Sequence, residues 1–390
     1  MISRNFLALP ALLVLVVCLA GCETMGKWFG DKSTAIPPAK LIKFQAELKP
    51  KTFWSSSVGG GAGKNFVRLI PAYVDGTVYA ASRDGDVDAF DLASGKKRWS
   101  RSVKKAEITG AIGVAADAIV FGTAAGEVIA LDRASGGEHW RTYLASEVLA
   151  PPVIAERIVV VRSGDGHVFG LDLGSGNKVW SYDRPMPALS LHGTSAPVIA
   201  GGRLIVGFDS GHLVALELGS GKPLWETRIA IPKGRTDLDR MVDIDSAPIV
   251  SGDTIYVATY QGQVAAVALD SGEPVWTRDL SSSAGLAIDE RRVYVTDQDS
   301  HVWALDRQTG ASVWKQDALT ARQVSEPAVL GAYVVVADLE GYLHWLASDD
   351  GHFVARVQVG DKRIIAPPRT FGERVVVYGS TGRLAALGLP

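Results

Sequence analysis

The apolar residues of this chain come in short runs that do not alternate with polar ones. Ile158-Val159-Val160-Val161, Val293-Tyr294-Val295 and Val334-Val335-Val336 are apolar at successive positions. A strand reads this way when both of its faces are buried. After such runs comes a recurring unit, Gly-x-Val/Leu-x-Ala-Leu-Asp-x-x-Ser/Thr-Gly-x-x-x-Trp. Its clear copies begin at Gly85, Gly126, Gly166 and Gly211, and weaker copies at Gly262, Ser300, Gly341 and Gly382. The intervals are 41, 40, 45, 51, 38, 41 and 41 residues. A repeat of that length builds one four-stranded propeller blade. The pattern predicts an all-β chain, an eight-bladed β-propeller of four-stranded antiparallel blades. An α-helical repeat is excluded, because the runs are too short, too β-branched and too rich in glycine.

Each part of the unit has a physical task. The Asp-x-x-Ser/Thr-Gly stretch, at 91–95, 132–136, 172–176 and 306–310, with Glu217 heading 217–221, is turn chemistry. The acidic and hydroxyl oxygens accept from backbone amides, and the glycine takes a positive φ at little steric cost. Four residues beyond stands Trp99, Trp140, Trp180, Trp225, Trp276 or Trp314. A large ring there fills the gap to a neighbouring blade and donates through its indole N–H.

Two irregularities bear on closure. The seventh unit has Ala355 in the tryptophan position, and the eighth runs out at Pro390 before its turn and last strand. Trp54 stands 45 residues before Trp99, about one repeat. The N-terminal strand near Trp54 is therefore expected to complete the last blade and close the ring, leaving no open sheet edge between first and last blades. Residues 51–390 form the expected propeller.

Before it lies an address. Arg4 precedes an apolar run from Phe6 to Ala20, shorter than the ~20 residues of a spanning helix. The run ends in Leu19-Ala20-Gly21-Cys22. Residues 1–21 are expected to be a signal peptide, and residues 22–50, with Pro37, Pro38 and Pro50, a flexible tether. The two cysteines are Cys18 and Cys22, which excludes a disulfide scaffold and cysteine-ligated zinc sites. With 40 basic and 42 acidic residues the chain has no broad basic field, and nucleic acid is not expected as a partner.

The Leu-Ala-Gly-Cys stretch resembles the lipobox of bacterial lipoproteins, which implies lipidation at Cys22. Glu23 follows it, not the aspartate that retains many lipoproteins in the inner membrane, which implies an outer-membrane anchor facing the periplasm. The repeated unit resembles the tryptophan-docking motif of propellers related to pyrroloquinoline-quinone enzymes. Lipobox, tether and eight blades together resemble the BamB family of outer-membrane protein assembly factors. Leu189-Ser190-Leu191-His192-Gly193 and Asp239-Arg240-Met241-Val242-Asp243-Ile244-Asp245 are similar to that family's segments for contacting BamA. The resemblance implies that Leu189, Leu191, His192, Asp243 and Asp245 bind the POTRA domains of BamA within the Bam complex. It implies a non-enzymatic scaffold without cofactor that aids folding and insertion of barrel proteins. His192 departs from the arginine expected there, losing a fixed charge and a bidentate fork.

Independently of the resemblance, the two longest intervals, 45 and 51 residues, are adjacent. Their extra length falls in about 183–194 and 229–245, so neighbouring blades carry one elaborated loop patch. Outer-edge strands would also admit an unfolded outer-membrane protein by β-augmentation. Two other readings remain: a lipid-anchored propeller that tethers another periplasmic or cell-wall partner, and a quinoprotein dehydrogenase. The second would need catalytic insertions for which this chain has little length. The stretch 58–65, Val-Gly-Gly-Gly-Ala-Gly-Lys-Asn, departs from a phosphate-binding loop at both ends and is expected to be a turn. His167, His212 and His301 share one repeat position but belong to separate blades, and no metal site is expected from them.

Overall fold

The computed structural model describes residues 36–65, 67–187, 189, 195–233, 235–360 and 362–389. Residues 38–390 form one compact unit. Its strands assemble into eight four-stranded antiparallel sheets, and the described residues include no helix. The first blade spans 72–102, the second 113–143, the third 153–182 and the fourth 198–228. The fifth covers 249–279, the sixth 285–316 and the seventh 328–358. The eighth joins 369–388 to the N-terminal strand Lys51–Ser57. The first strands of successive blades touch one another from blade one to blade eight, so they form the inner wall of a ring. The middle strands are apolar at successive positions because other blades cover both faces: Thr77–Ala81, Ala118–Gly122 and the residues after Arg374 are buried throughout.

The expected closure is observed. Lys51–Ser57 pairs antiparallel with Arg383–Gly388, with Trp54 opposite Ala386. Trp54, Ala386 and Tyr378 of the last blade share one apolar cluster with Val78, Tyr79 and Phe90 of the first.

The tryptophans act as rivets between blades. Nε1 of Trp54, Trp99, Trp140, Trp180, Trp225, Trp276 and Trp314 donates to a backbone carbonyl in the turn of the next blade, at 2.7–3.0 Å. The ring lies over that turn's glycine. A Cβ on Gly95, Gly136, Gly176, Gly221, Gly272, Gly310 or Gly351 would sit 2.4–2.9 Å from it, and each of these glycines has φ between +69° and +78°. Glycine is required there twice over, by the positive φ and by the ring.

The interface between the seventh and eighth blades lacks this rivet and is filled differently. The segment expected to be a free tether over 22–50 is laid against the seventh blade from Ala39 onward. The amides of Glu47 and Leu48 donate to the Val354 carbonyl at 2.9 and 3.1 Å, and Ala39 N–H donates to Thr320 O at 2.9 Å. Arg356 bonds Ile42 O at 2.9 Å and lies over the Phe44 ring, which stacks on Phe353. Leu48 and Leu389 pack against the buried cluster at this seam. Residues 1–35, including Cys22, lie outside the described residues.

Candidate functional site

The elaborated patch lies where the connections into the fourth and fifth blades run side by side. Residues 183–197 and 229–248 each link an outer strand to the first strand of the next blade. Leu189 is 49% exposed. Leu191 and His192 lie outside the described residues. In the second loop Ile231 and Leu238 are 63% and 62% exposed. Leu238 is presented by a compact turn: Thr236 N–H donates to Asp239 Oδ2 at 3.3 Å, and Asp239 N–H to Thr236 Oγ1 at 3.1 Å. The Thr236 hydroxyl and amide hold the Asp239 carboxyl below its ordinary range. Ile231 and Leu238 were not singled out from the sequence. Their signal was present, as large aliphatic residues in an insertion with no strand pattern.

The loops are anchored from below. Met241, Val242 and Ile244 are buried. The Ile244 side chain occupies the space that a Cβ on Gly207 would need, 2.3 Å away. Ile244 N–H donates to Phe208 O at 3.3 Å, and Asp243 O accepts from Tyr260 N–H at 2.8 Å. Ser195 Oγ donates to Ser246 O at 2.8 Å, which ties the end of one loop to the end of the other.

Asp243 and Asp245 are not at the surface. They are 0% and 5% exposed, so both carboxylates are closed off from solvent. The charge expected to be presented is instead in the floor of the patch, beside a buried ion pair. Arg162 of the third blade, 1% exposed, bonds Asp209 Oδ1 at 2.6 Å and Gly207 O at 2.8 Å, and its guanidinium lies over the Phe208 ring. Neither carboxylate oxygen of Asp245 has a hydrogen-bond partner. Burial pushes its carboxyl up to about 6, against the pull of Arg68 and Arg162 and with the push of Asp209. The patch is therefore an apolar, solvent-facing rim over a floor of buried charge.

The other candidates resolve simply. Residues 58–65 form a turn at the ring seam, with Val58 N–H donating to Gly382 O at 2.9 Å and Gly63 N–H to Ser380 O at 2.9 Å. The three histidines face groups near their own blades: His167 meets Asp165, His212 meets Ser210, and His301 meets Asp297 and Thr320. Asp297, with Asp299 and His301 close by, already accepts from the backbone amides of Asp299 and His301 and from the Trp303 indole, and it meets the His301 ring, so it caps a turn.

Comparison with known proteins agrees with this architecture. A family model described as outer membrane protein assembly factor BamB matches residues 50–117 and 83–316. A curated protein of that name from Xanthomonas campestris is 40% identical over 97% of both chains. The crystal structure of BamB from Moraxella catarrhalis superposes with a TM-score of 0.81 at 28% identity, covering 87% of this chain and 100% of that one. Quinohemoprotein alcohol dehydrogenase from Comamonas testosteroni, at 13% identity and TM-score 0.70 over 87% of this chain and 76% of its own, shares the fold alone. The repeat, the ring closure and these near-full-length matches lead to one conclusion: the chain belongs to the BamB family of outer-membrane protein assembly factors.

Proposed function

We propose that this chain is a scaffold of outer-membrane protein assembly that docks on the POTRA domains of BamA through the rim of the two adjoining loops. Lipid on Cys22 would hold it at the outer membrane, facing the periplasm. The carrying observation is the exposed aliphatic group Leu189, Ile231 and Leu238 on loops pinned by a buried floor. A rigid apolar rim loses little conformational freedom on docking, and exposed aliphatics clustered on loops mark interaction surfaces. In this reading Leu189, Leu191 and His192 touch the partner. Asp243 and Asp245 act from beneath, by holding the second loop. No cofactor takes part.

The test is capture of the purified POTRA domains. Leu189→Asp with Leu238→Asp should weaken capture at least tenfold while the thermal unfolding profile stays unchanged, since both side chains face solvent. Undiminished capture by that double variant would remove the assignment of the rim. Acylation of Cys22 is tested separately, by radiolabelled palmitate uptake that Cys22→Ser abolishes.

A further inference from the structure

Residues 39–48 form a strap held by two arginines that share one buried pair, Asp338 and His344. Arg356 Nη1 donates to Ile42 O and Arg322 Nη1 to Ala39 O, each at 2.9 Å. Arg322 Nε donates to Asp338 Oδ2 at 2.8 Å, and Arg356 Nε to His344 Nδ1 at 3.2 Å. His344 Nε2 meets the same Asp338 oxygen at 2.9 Å. His344 and Asp338 are both 0% exposed. The Phe44 ring covers the Arg356 guanidinium at 5.0 Å. From core to surface the order is Asp338, His344, Arg356 and then the strap.

These contacts require one tautomer. A guanidinium N–H only donates, so His344 Nδ1 accepts and Nε2 carries its proton toward Asp338. A second proton would set the Nδ1–H of an imidazolium against the N–H of Arg356, donor against donor and cation against cation. Burial opposes that proton, Asp338 favours it, and Arg356 and Arg322 oppose it; the balance holds the imidazole below its ordinary value. Glu340, on the turn beside Asp338, is paired with Arg322, and the Tyr342 ring lies 6.2 Å from the imidazole.

Two further histidines touch the strap's surroundings. At its far end His352 meets Asp350 Oδ1 at 2.6 Å and the strap's own Glu47 Oε1 at 3.0 Å, and these carboxylates raise its value. Charged His352 grips Glu47, so its hold grows in acid and is lost as pH rises. At the near end His301 Nε2 meets the hydroxyl of Thr320, whose carbonyl accepts from Ala39 N–H. An acid release therefore falls to His344.

We propose that the strap is latched by His344 through Arg356, and that acid unlatches it by protonating the imidazole. Protonation turns the Arg356 guanidinium away, and the Ile42 carbonyl and the Phe44 ring lose their partner. The unlatched imidazole titrates near its ordinary value of ~6.5 and the latched one lower. Between the two the unlatched form holds a proton that the latched form lacks, so docking weakens as pH falls, by up to about tenfold for each pH unit. One consequence rests on the anchor proposed at Cys22. Latching leaves residues 23–38 as the link in place of 23–50, and its full extension drops from roughly 95 Å to roughly 55 Å. Acid would lengthen the reach of the propeller from the membrane.

The experiment is amide hydrogen exchange of the full chain in detergent at pH 7 and pH 5, with rates corrected for their intrinsic dependence on pH. Protection over 39–48 should fall at least about fivefold in acid, while Tyr333–Ala337 in the middle of the seventh blade stays protected. His344→Gln takes up no proton and should give a flat profile, whatever its level. His352→Gln should keep the acid fall. Reciprocity gives a second reading. Phe44→Ala loosens the strap, so the His344 ring resonance must titrate at higher pH in that variant than in wild type. Flat protection in wild type, an acid fall that survives unchanged in His344→Gln, or equal titration in wild type and Phe44→Ala would overturn the latch. Acylation of Cys22 enters none of these readings, so its failure would remove the change of reach and leave the latch standing.

Discussion

Trp345 stands directly opposite Ala355 in the seventh blade, with the large and small residues exchanged relative to the neighbouring blades. In the sixth, fifth and fourth blades the pairs are Ala304 with Trp314, Ala266 with Trp276, and Ala215 with Trp225, the tryptophan always on the outer strand. The exchange coincides with the seam where the next blade has no Asp-x-x-Ser-Gly turn to receive a ring, because that blade takes its outer strand, Lys51–Ser57, from before the first blade. Trp345 is turned into the buried cluster between the seventh and eighth blades, with Leu387, Val375 and Ala355. The outer surface it vacates is covered by Leu48 and the segment before it.

This exchange has an energetic signature. The Trp345 indole N–H is buried without a hydrogen-bond partner, whereas that of Trp314 bonds Ser348 O at 2.8 Å. A buried unpaired donor costs about 1–3 kcal/mol. Trp345→Phe removes that cost and should change stability by less than ~1 kcal/mol. Trp314→Phe removes a hydrogen bond that is made, although Arg292 Nη1 still donates to the same Ser348 carbonyl, and it thins the ring between two blades, so it should destabilise by about 1–2 kcal/mol. Denaturant midpoints of the two variants, compared at equal m-value, decide this, and equal losses would contradict it.

The tryptophan–glycine rivets predict a steep penalty for one methyl group. In Gly272→Ala the new Cβ would lie 2.5 Å from Trp225 Cε3 at a φ of +75°. Strained φ and overpacking each cost about 1–3 kcal/mol, so the variant should lose at least ~2 kcal/mol. Gly252→Ala is the control. It has φ of +58° but nothing within 4 Å, so it should show the backbone share alone. Thermal melts in which the two variants coincide would show that the ring contact contributes nothing.

The docked N-terminal segment predicts protection where a tether would have none. Phe44→Ala removes the stack on Phe353 and the contact with Arg356, for about 1–2 kcal/mol, less than a fully buried aromatic because the ring is half exposed. Amide exchange at Glu47 and Leu48 should be slow in the wild type and fast in the variant. Fast exchange in both would mean the segment is not held.

These cases show what was legible in the chain. The blade count, the rivets and the closure by Trp54 were readable because one unit is repeated, and each copy corroborates the others. The Trp345–Ala355 exchange was not, because it breaks the unit, and only strand register reveals that the missing ring stands on the adjacent strand. The docking of residues 39–48 was hidden for a related reason. Leu41, Phe44 and Leu48 are sparse among polar and proline residues, and they are held by seams that exist only in the folded ring, Leu41 and Phe44 between the sixth and seventh blades and Leu48 between the seventh and eighth. At the candidate site the position of the patch followed from the two long intervals. The burial of Asp243 and Asp245 did not, since the groups around Asp245, Arg68 and Arg162, come from the first and third blades, far away in the chain.

The buried carboxyl of Asp245 makes the patch floor sensitive to pH, with a definite sign. Its folded value is raised to about 6 by burial, from an ordinary value near ~4. Between those limits the folded chain holds a proton that the unfolded chain has released, so this group's contribution to stability falls as pH rises from about 4 to about 6. Above that range the penalty is complete, on the order of 3 kcal/mol. Arg68, Arg162 and Asp209 face the group and set the size of the effect. Asp245→Asn retains the shape of the protonated form without the charge. It should be more stable than wild type at pH 7.5 by about 1–3 kcal/mol, equal to it near pH 4, and free of the slope between. Denaturant unfolding at several pH values measures this. A variant less stable than wild type at pH 7.5 would mean that the Asp245 charge is compensated by the arginines beside it. A variant that gains stability and still loses POTRA capture would place the charge, and not the fold of the loop, in the docking function.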